Sequence, residues 1–343
     1  MYEDDVTRIA RLMRDRVLSG MRPTGALHLG HYHGALKNWV RLQHDYDCFF
    51  LVADWHALTT HYEDPAVIER SVYDMVVDWI AAGLEPDLCT IFIQSRLPEH
   101  AELFTLLAMG TPLGWLERVP SYKDRIAQLA GSRDLATYGF LGYPLLQAAD
   151  ILAYKAQWVP VGEDQDAHVE LTREVARRFN RLYGRDVLPQ PQALHTEVTR
   201  LPGLDGQKMS KSLDNTIAMR EEPDVVAQKI RRMPTDPQRV RRSDPGEPAR
   251  CPVWSFHEIY SDEATKTWAA AGCRSAGIGC LDCKQPVIDA INAELKPIRE
   301  RAEELEEDPT LVRNIIQDGC EKASDLADET MRDVRAAMGL NYS

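Results

Sequence analysis

His28 and His31, three positions apart, flank Leu29-Gly30 just after the run Ser19-Gly20-Met21-Arg22-Pro23-Thr24-Gly25. If a helix begins there, its unpaired backbone N–H groups and positive dipole end suit phosphate. Both imidazoles then face one way and can donate to phosphate oxygens, and Gly30 lets a flat base approach the backbone. A metal pair, His28 with His31 or His33, lacks a companion carboxylate at helical spacing, and histidines with no role remain the bland reading of so short a motif. Far along the chain, Lys208-Met209-Ser210-Lys211-Ser212 places two lysines and two serines on a Gly/Pro-rich stretch. A loop of that kind can close over a polyphosphate and neutralise charge building on a leaving pyrophosphate. A third set, Tyr143, Gln147, Asp150 and Tyr154, recurs at helical spacing and so shares one face. Asp150 sits among Ala and Ile and needs a donor, because an unpaired buried carboxylate costs several kcal/mol; a capping or salt-bridged Asp is the ordinary alternative.

Cys251, Cys273, Cys280 and Cys283 are separated by 21, 6 and 2 residues. Structural zinc usually shows two close ligand pairs, and here only Cys280 and Cys283 form one. Four thiolates can hold zinc or a [4Fe–4S] cluster, and buried free thiols are the third reading. Seven cysteines in all cannot pair completely within one chain, and Cys48, Cys89 and Cys320 lie in apolar or helical contexts that suit core thiols. Lys229 to Arg242 holds six basic residues and one acidic one, a local inversion of the overall charge of −13. That stretch fits either phosphate binding or a solvated helix face.

The elements that must position these groups are legible as alternation. Apolar runs at 16–19, 48–53, 88–93 and 158–161 are separated by helical patterns at 33–43, 65–82 and 143–155, which predicts an α/β fold with a Rossmann-like parallel sheet. Ligands in such sheets bind beyond the carboxyl ends of the strands, which singles out 20–25, 54–56, 94–96 and 162–165. From Leu188 onward Pro189, Pro191, Pro202, Gly203 and Gly206 mark a connector, and the acidic stretch from Val287 to Met338 reads as helix. The expected organisation is a catalytic domain over 16–190, a connector over 191–225 and a helical domain over 226–340. The net charge argues against a protein that coats nucleic acid indiscriminately, and no apolar run reaches the roughly 18 residues of a membrane span. Met1-Tyr2-Glu3-Asp4-Asp5 is no signal peptide, so the expected location is cytoplasmic.

The histidine motif and the lysine loop, in this order and context, resemble the two signatures of class I aminoacyl-tRNA synthetases. The match sharpens over 19–34, Tyr143-Pro144-Leu145-Leu146-Gln147-Ala148-Ala149-Asp150-Ile151-Leu152, Val159-Pro160-Val161-Gly162-Glu163-Asp164-Gln165 and Glu170-Leu171-Thr172-Arg173, which look like the bacterial tryptophanyl-tRNA synthetases from about Arg16 to about Leu340. The resemblance implies ATP-dependent activation of tryptophan and its transfer to the 2′-hydroxyl of the terminal adenosine of its tRNA, by a homodimer with no membrane attachment. It assigns His28, His31, Lys208 and Lys211 to phosphate charge, with Mg²⁺ bridging ATP. Arg22, Pro23, Thr24, Gly30, Gly162, Glu163, Asp164, Leu201, Met209, Ser210 and Ser212 would frame the nucleotide, with Lys123 and Arg125 as further candidates. Asp150 would accept the indole N–H, Tyr143 and Gln165 would hold the ammonium, and His56 and Gln147 would complete the pocket; Gln147 stands where many members carry Met. The helical domain would read the anticodon, with the basic stretch against RNA. The cysteine spacing is similar to that of a subset carrying a [4Fe–4S] cluster, with Zn²⁺ as the alternative. A small-molecule adenylyltransferase shares the histidine signature but not the helical second domain, and a non-catalytic sensor would not need both lysines.

Overall fold

The computed structural model describes residues 14–120, 122, 137–162, 165–195 and 201–342. Five parallel strands form one sheet in the order β3-β2-β1-β4-β5: β1 (Arg16–Met21), β2 (Asp47–Val52), β3 (Cys89–Ile93), β4 (Trp158–Val161) and β5 (Gln192–His195). Every residue of β2 and β3 is buried, which is why both read as unbroken apolar runs rather than alternating ones. β5 was not expected as a strand. It is a four-residue, part-exposed edge behind Pro189 and Pro191, so it carries no apolar run to announce it.

The chain reverses its direction across the sheet at β1. On one side β1 pairs with β2 along its whole length, from Arg16↔Asp47 to Met21↔Val52. On the other its register with β4 is the single pair Val17↔Trp158. Beyond Val17 the two strand ends diverge, and the crevice between them is the switch point at which open α/β sheets bind ligands.

After β1 the chain enters α1 (Leu29–His31), a π-helical turn (Tyr32–Leu36) and α2 (Lys37–Asp45). α3 (Asp54–His61) and α4 (Ala66–Ala81) follow β2, and α5 (Pro98–Gly110) and α6 (Leu113–Glu117) follow β3. α7 (Tyr138–Ala153) precedes β4 and α8 (Asp166–Tyr183) follows it, ending on Gly184 at φ 62°, a left-handed cap. The connector leads to α9 (Pro223–Arg232), α10 (Pro252–Tyr260), α11 (Glu263–Arg274), α12 (Cys280–Glu307) and α13 (Pro309–Met338).

The last two helices return to the sheet domain. α12 packs along α4, and α13 lies against β3 and α5. At Gly319 the approach is so close that a Cβ would sit 1.8 Å from the Ile91 carbonyl oxygen, so only glycine fits. Arg335 Nε donates to Glu102 at 2.7 Å and Ser324 Oγ to Glu99 at 3.2 Å across the same seam. One hydrophobic cluster accordingly runs from Val17 in β1 to Val334 in α13.

Candidate active site

The crevice between β1 and β4 opens into a cavity of about 440 Å³ lined by Leu18 to Arg22 on one side and Val159 to Gly162 on the other. α7 supplies Tyr143, Gln147 and Asp150 to its wall, α3 supplies His56, and Gln165 with His168 close it from the start of α8. Helical spacing brought the α7 residues together as expected, with one exception. Tyr154 follows the end of α7, is fully buried, and stacks on Phe49 at 5.2 Å instead of facing the cavity.

Asp150 is 1% exposed and has its donors. Oδ1 accepts from Gln94 Nε2 at 2.8 Å and from His100 Nδ1 at 2.7 Å, and Oδ2 accepts from His56 Nε2 at 2.7 Å. Burial opposes ionisation of this carboxyl, but the hydrogen bonds from His100 and His56 outweigh it and hold the group well below the usual carboxylate range. The group is therefore an acceptor only. Gln94 follows β3 in the region singled out by strand position, whereas His100, inside α5, carried no sequence signal beyond being one histidine in an apolar helix.

The phosphate-type corner follows the same carboxyl end of β1. His28 caps α1 with extended backbone (φ −132°, ψ 169°), and its N–H donates to His31 Nδ1 at 3.3 Å. The two rings lie 3.8 Å apart. Desolvation, and then the charge of Lys211, lower the His28 pKa to about 4; desolvation, then His28 and Lys211, lower that of His31 to about 3. At those values both are neutral near pH 7 and can offer an anion hydrogen bonds. The π-helical turn immediately after them shifts the helix register and sets Gly34, Ala35 and Asn38 on the cavity wall.

The lysine loop docks on this corner. Leu29 N–H donates to the Ile217 carbonyl at 3.0 Å and Met219 N–H to that of Leu27 at 3.0 Å, so the segment beyond the loop runs antiparallel to the histidine motif. Gly30 N–H contacts Met209 Sδ at 3.3 Å, and a Cβ on Gly30 would meet His28 Cε1 at 3.0 Å and Met209 Cβ at 3.4 Å. Lys211 Nζ donates to the carbonyls of Thr24 at 3.0 Å and Gly25 at 2.8 Å. Desolvation lowers its pKa to about 8, with Asp78 opposing and Arg22 assisting. Pro23, Leu201 and Met209 are buried, and Lys208 is exposed. Ser210 N–H donates to Asn215 Oδ1 at 2.8 Å, while Asn215 Nδ2 donates to Asp205 at 2.8 Å and to the Lys208 carbonyl at 3.1 Å. Asn215, 3% exposed, thus organises the loop. Sequence reasoning did not single it out, and only its position three residues after Ser212 hinted at it. Ser212 belongs to the turn Lys211–Leu213. Glu163, Asp164, Lys123 and Arg125 lie outside the described residues.

Cys251, Cys273, Cys280 and Cys283 are all free thiols and half-buried. They feel one another: burial first, then the charges of Cys251, Cys273 and Cys280, push the Cys283 thiol up to about 12. Cys283 Sγ also lies 3.3 Å from His257 Nε2. Their side chains nevertheless do not converge on a point, and among the described residues no three His, Cys, Asp or Glu side chains gather as a single metal ion requires. In the basic stretch, Lys229 is spent on the Thr216 carbonyl and Glu221, and Arg239 on the Arg242 and Ile278 carbonyls. Arg231, Arg232, Arg241 and Arg242 are exposed, as is Val240, at 84%. Among the described residues no helix is long and apolar enough to cross a membrane.

Comparison with known proteins agrees with this geometry. The pattern of the family described as tRNA synthetases class I (W and Y) matches residues 13–296. A tryptophan–tRNA ligase of Ralstonia nicotianae is 57% identical, over 96% of this chain and 99% of that protein. One from Thermotoga maritima is 51% identical, over 95% and 100%. Among solved structures, the tryptophanyl-tRNA synthetase of Campylobacter jejuni complexed with ADP and tryptophan superposes with a TM-score of 0.84 at 33% identity, covering 94% of this chain and 99% of that one. A nucleotide-type corner and an enclosed acceptor carboxylate on a switch-point crevice, matched by a family pattern across most of the chain, make this protein a member of the class I tRNA synthetase family of tryptophan and tyrosine enzymes.

Proposed function

We propose that the protein activates L-tryptophan with ATP to tryptophanyl-adenylate and pyrophosphate, then transfers tryptophan to the 2′-hydroxyl of the 3′-terminal adenosine of its tRNA, releasing AMP. The observation that carries the choice of amino acid is Asp150. Three donors occupy three of the four acceptor positions of its carboxylate, and Oδ2 has a single donor, His56, which lines the cavity together with Asp150. An indole N–H completes the set. A side chain without that donor leaves a buried anion short of a partner, which can cost a factor of ~10⁴ to 10⁵ in specificity. Tyr143, two turns before Asp150 on α7, and Gln165, at the start of α8, hold the ammonium, and His56 and Gln147 border the ring.

In the first step a tryptophan carboxylate oxygen attacks the α-phosphorus and pyrophosphate leaves. The protein contributes positioning and charge. Neutral His28 and His31 donate to phosphate oxygens, and Lys208 with Lys211 stabilises the charge growing on pyrophosphate. Arg22, Pro23, Thr24, Gly30, Gly162, Leu201, Met209, Ser210 and Ser212 frame the nucleotide, and the family resemblance adds Glu163 and Asp164 to that set. Mg²⁺ arrives with the ATP phosphates as part of the substrate. In the second step the adenosine 2′-hydroxyl attacks the acyl carbon and AMP departs.

The exposed arginines of 231–242 suit tRNA phosphates. For the four cysteines we propose a [4Fe–4S] cluster rather than zinc, supported by four free thiols within one another's field and only one close pair in sequence; no reaction step passes through it. Homodimerisation is the expected assembly, supported by the apolar groove of about 420 Å³ between α3, α5 and α7, where Tyr62 and Tyr138 are exposed. ATP–pyrophosphate exchange measured across the amino acids tests the central reading: tryptophan should support it, and faster exchange with tyrosine at equal concentration would overturn the substrate while leaving the family intact.

A further inference from the structure

Behind the cavity wall lies a set of polar groups that no substrate can touch. His100 and Tyr154 are both 0% exposed, as is Gln94, and none of the three borders the cavity. Gln94 and His100 both reach Oδ1 of Asp150, the oxygen turned away from His56, while His100 Nε2 lies 2.7 Å from the Tyr154 hydroxyl. Because the Asp150 carboxylate accepts only, His100 Nδ1 must donate to it; in the neutral imidazole Nε2 then has a lone pair and accepts from Tyr154 O–H. Tyr154 is itself fixed between Phe49 and Phe92, at 5.2 Å from each ring.

The direction of each bond matters. If His100 carried its proton on Nε2, its Nδ1 lone pair would face the Oδ1 lone pairs across 2.7 Å, which is repulsive. The carboxylate therefore selects the tautomer, and Tyr154, donating its O–H to Nε2, holds the ring in place so that the bond falls on Oδ1. With Oδ1 saturated by Gln94 and His100, neither of which lines the cavity, the acceptor capacity that remains is on Oδ2, the oxygen bonded to the cavity-lining His56.

We propose that His100, locked by Tyr154 and assisted by Gln94, is a positioning residue for amino-acid specificity: it fixes Asp150 so that its one free acceptor direction points at a ligand N–H. This rests on the reading of Asp150 as the acceptor for the indole. His100 touches no substrate, and its whole effect is exerted through the carboxylate.

The test compares tryptophan with its benzothiophene analogue, in which sulfur replaces the indole N–H, by ATP–pyrophosphate exchange with the full-length enzyme and His100→Leu, His100→Gln, Gln94→Leu and Tyr154→Phe. The wild type should prefer tryptophan. His100→Leu should shrink that preference by about 10- to 100-fold, the worth of a charge-assisted hydrogen bond. The loss should fall on KM for tryptophan, with KM for ATP unchanged. His100→Gln, which keeps a donor, should restore part of the preference, and Tyr154→Phe should lose part of it. Should His100→Leu fail to fold, Gln94→Leu and Tyr154→Phe carry the same comparison. An unchanged preference in these variants would overturn the positioning role while leaving Asp150 as acceptor. A wild type indifferent to the two substrates would remove the acceptor reading and this proposal with it. Equal losses for tryptophan, analogue and ATP, with a lowered unfolding midpoint and no rescue by Gln, would mean packing alone and also overturn it.

Discussion

Lys211 is where the residue-scale electrostatics becomes measurable. Its pKa is lowered to about 8, so its ammonium, the cation at the phosphate-type corner, loses its proton as pH rises through that value. The second-order constant for ATP, which reports the free enzyme, should therefore fall on the alkaline side near pH 8, and Lys211→Arg should flatten that limb because guanidinium stays charged. His28 and His31, at about 4 and about 3, should produce no inflection near 6.5, the ordinary histidine value. Replacing Lys211 with Ala should slow adenylate formation by ~10² to 10³ with a smaller change in ATP affinity, as expected for charge used in the transition state; single-turnover kinetics at normal rate would take the residue out of catalysis. Asp150→Asn keeps one acceptor oxygen and sets an amide donor against either His56 or the Gln94–His100 pair. Tryptophan use should drop by about 10²-fold, the equivalent of ~3 kcal/mol for a broken buried charge network, while ATP binding persists.

At the scale of elements, the joints between helices and sheet carry the stability. Gly319→Ala places a methyl 1.8 Å from the Ile91 carbonyl oxygen, so α13 must lift from β3. The cost should meet or exceed the ~1–3 kcal/mol usual for overpacking, read as a lower urea midpoint; an unchanged midpoint would show that α13 can shift freely. A second joint links α12 to the start of α2. Glu294 accepts from Lys37 at 2.5 Å and from Tyr260 at 2.9 Å, with His33 Nε2 at 3.0 Å. Burial opposes ionisation of Glu294, but His33 and Lys37 lower its pKa to about 2 from 4.5. The folded value is depressed, so the stabilisation is full above about 4.5 and is lost as pH falls toward 2. Glu294→Gln should weaken the acid dependence of stability in that window, measured by thermal unfolding across pH.

For the whole molecule, α12 is a single 28-residue helix that begins with Cys280 and Cys283, passes Glu294 beside the histidine motif, and ends near Glu306, which pairs with Arg220 of the connector. Arg220 also pairs with Asp78 of α4 at 2.7 Å. The cysteine end is thus tied to the nucleotide corner through covalently continuous helix rather than by shared ligands. Anaerobically purified protein should contain iron and labile sulfide, and gentle removal of the cluster should impair tRNA charging more than exchange. Stoichiometric zinc without iron or sulfide would replace the cluster with the alternative metal, and equal loss of both activities would place the cysteines in the catalytic fold instead.

Local patterning determined much of this protein. Apolar runs defined β2 and β3, because a strand buried on both faces is filled mainly by apolar side chains, and the shorter runs of the part-exposed β1 and β4 were legible from their alternation with helical patterns. Helical period gathered Tyr143, Gln147 and Asp150 on one wall, and the His28–His31 and Lys208–Ser212 motifs met as their types suggested. β5 escaped because a short edge strand is not required to be apolar, and α13, grouped by sequence with the helical end of the chain, lies on the sheet because Gly319 permits a contact that no periodicity announces. The charge state of the two histidines and the donors of Asp150 could be decided only by tertiary structure. Desolvation depends on what is packed around a group, and His56, Gln94, His100 and Tyr154 come from separate places in the chain to surround one carboxylate.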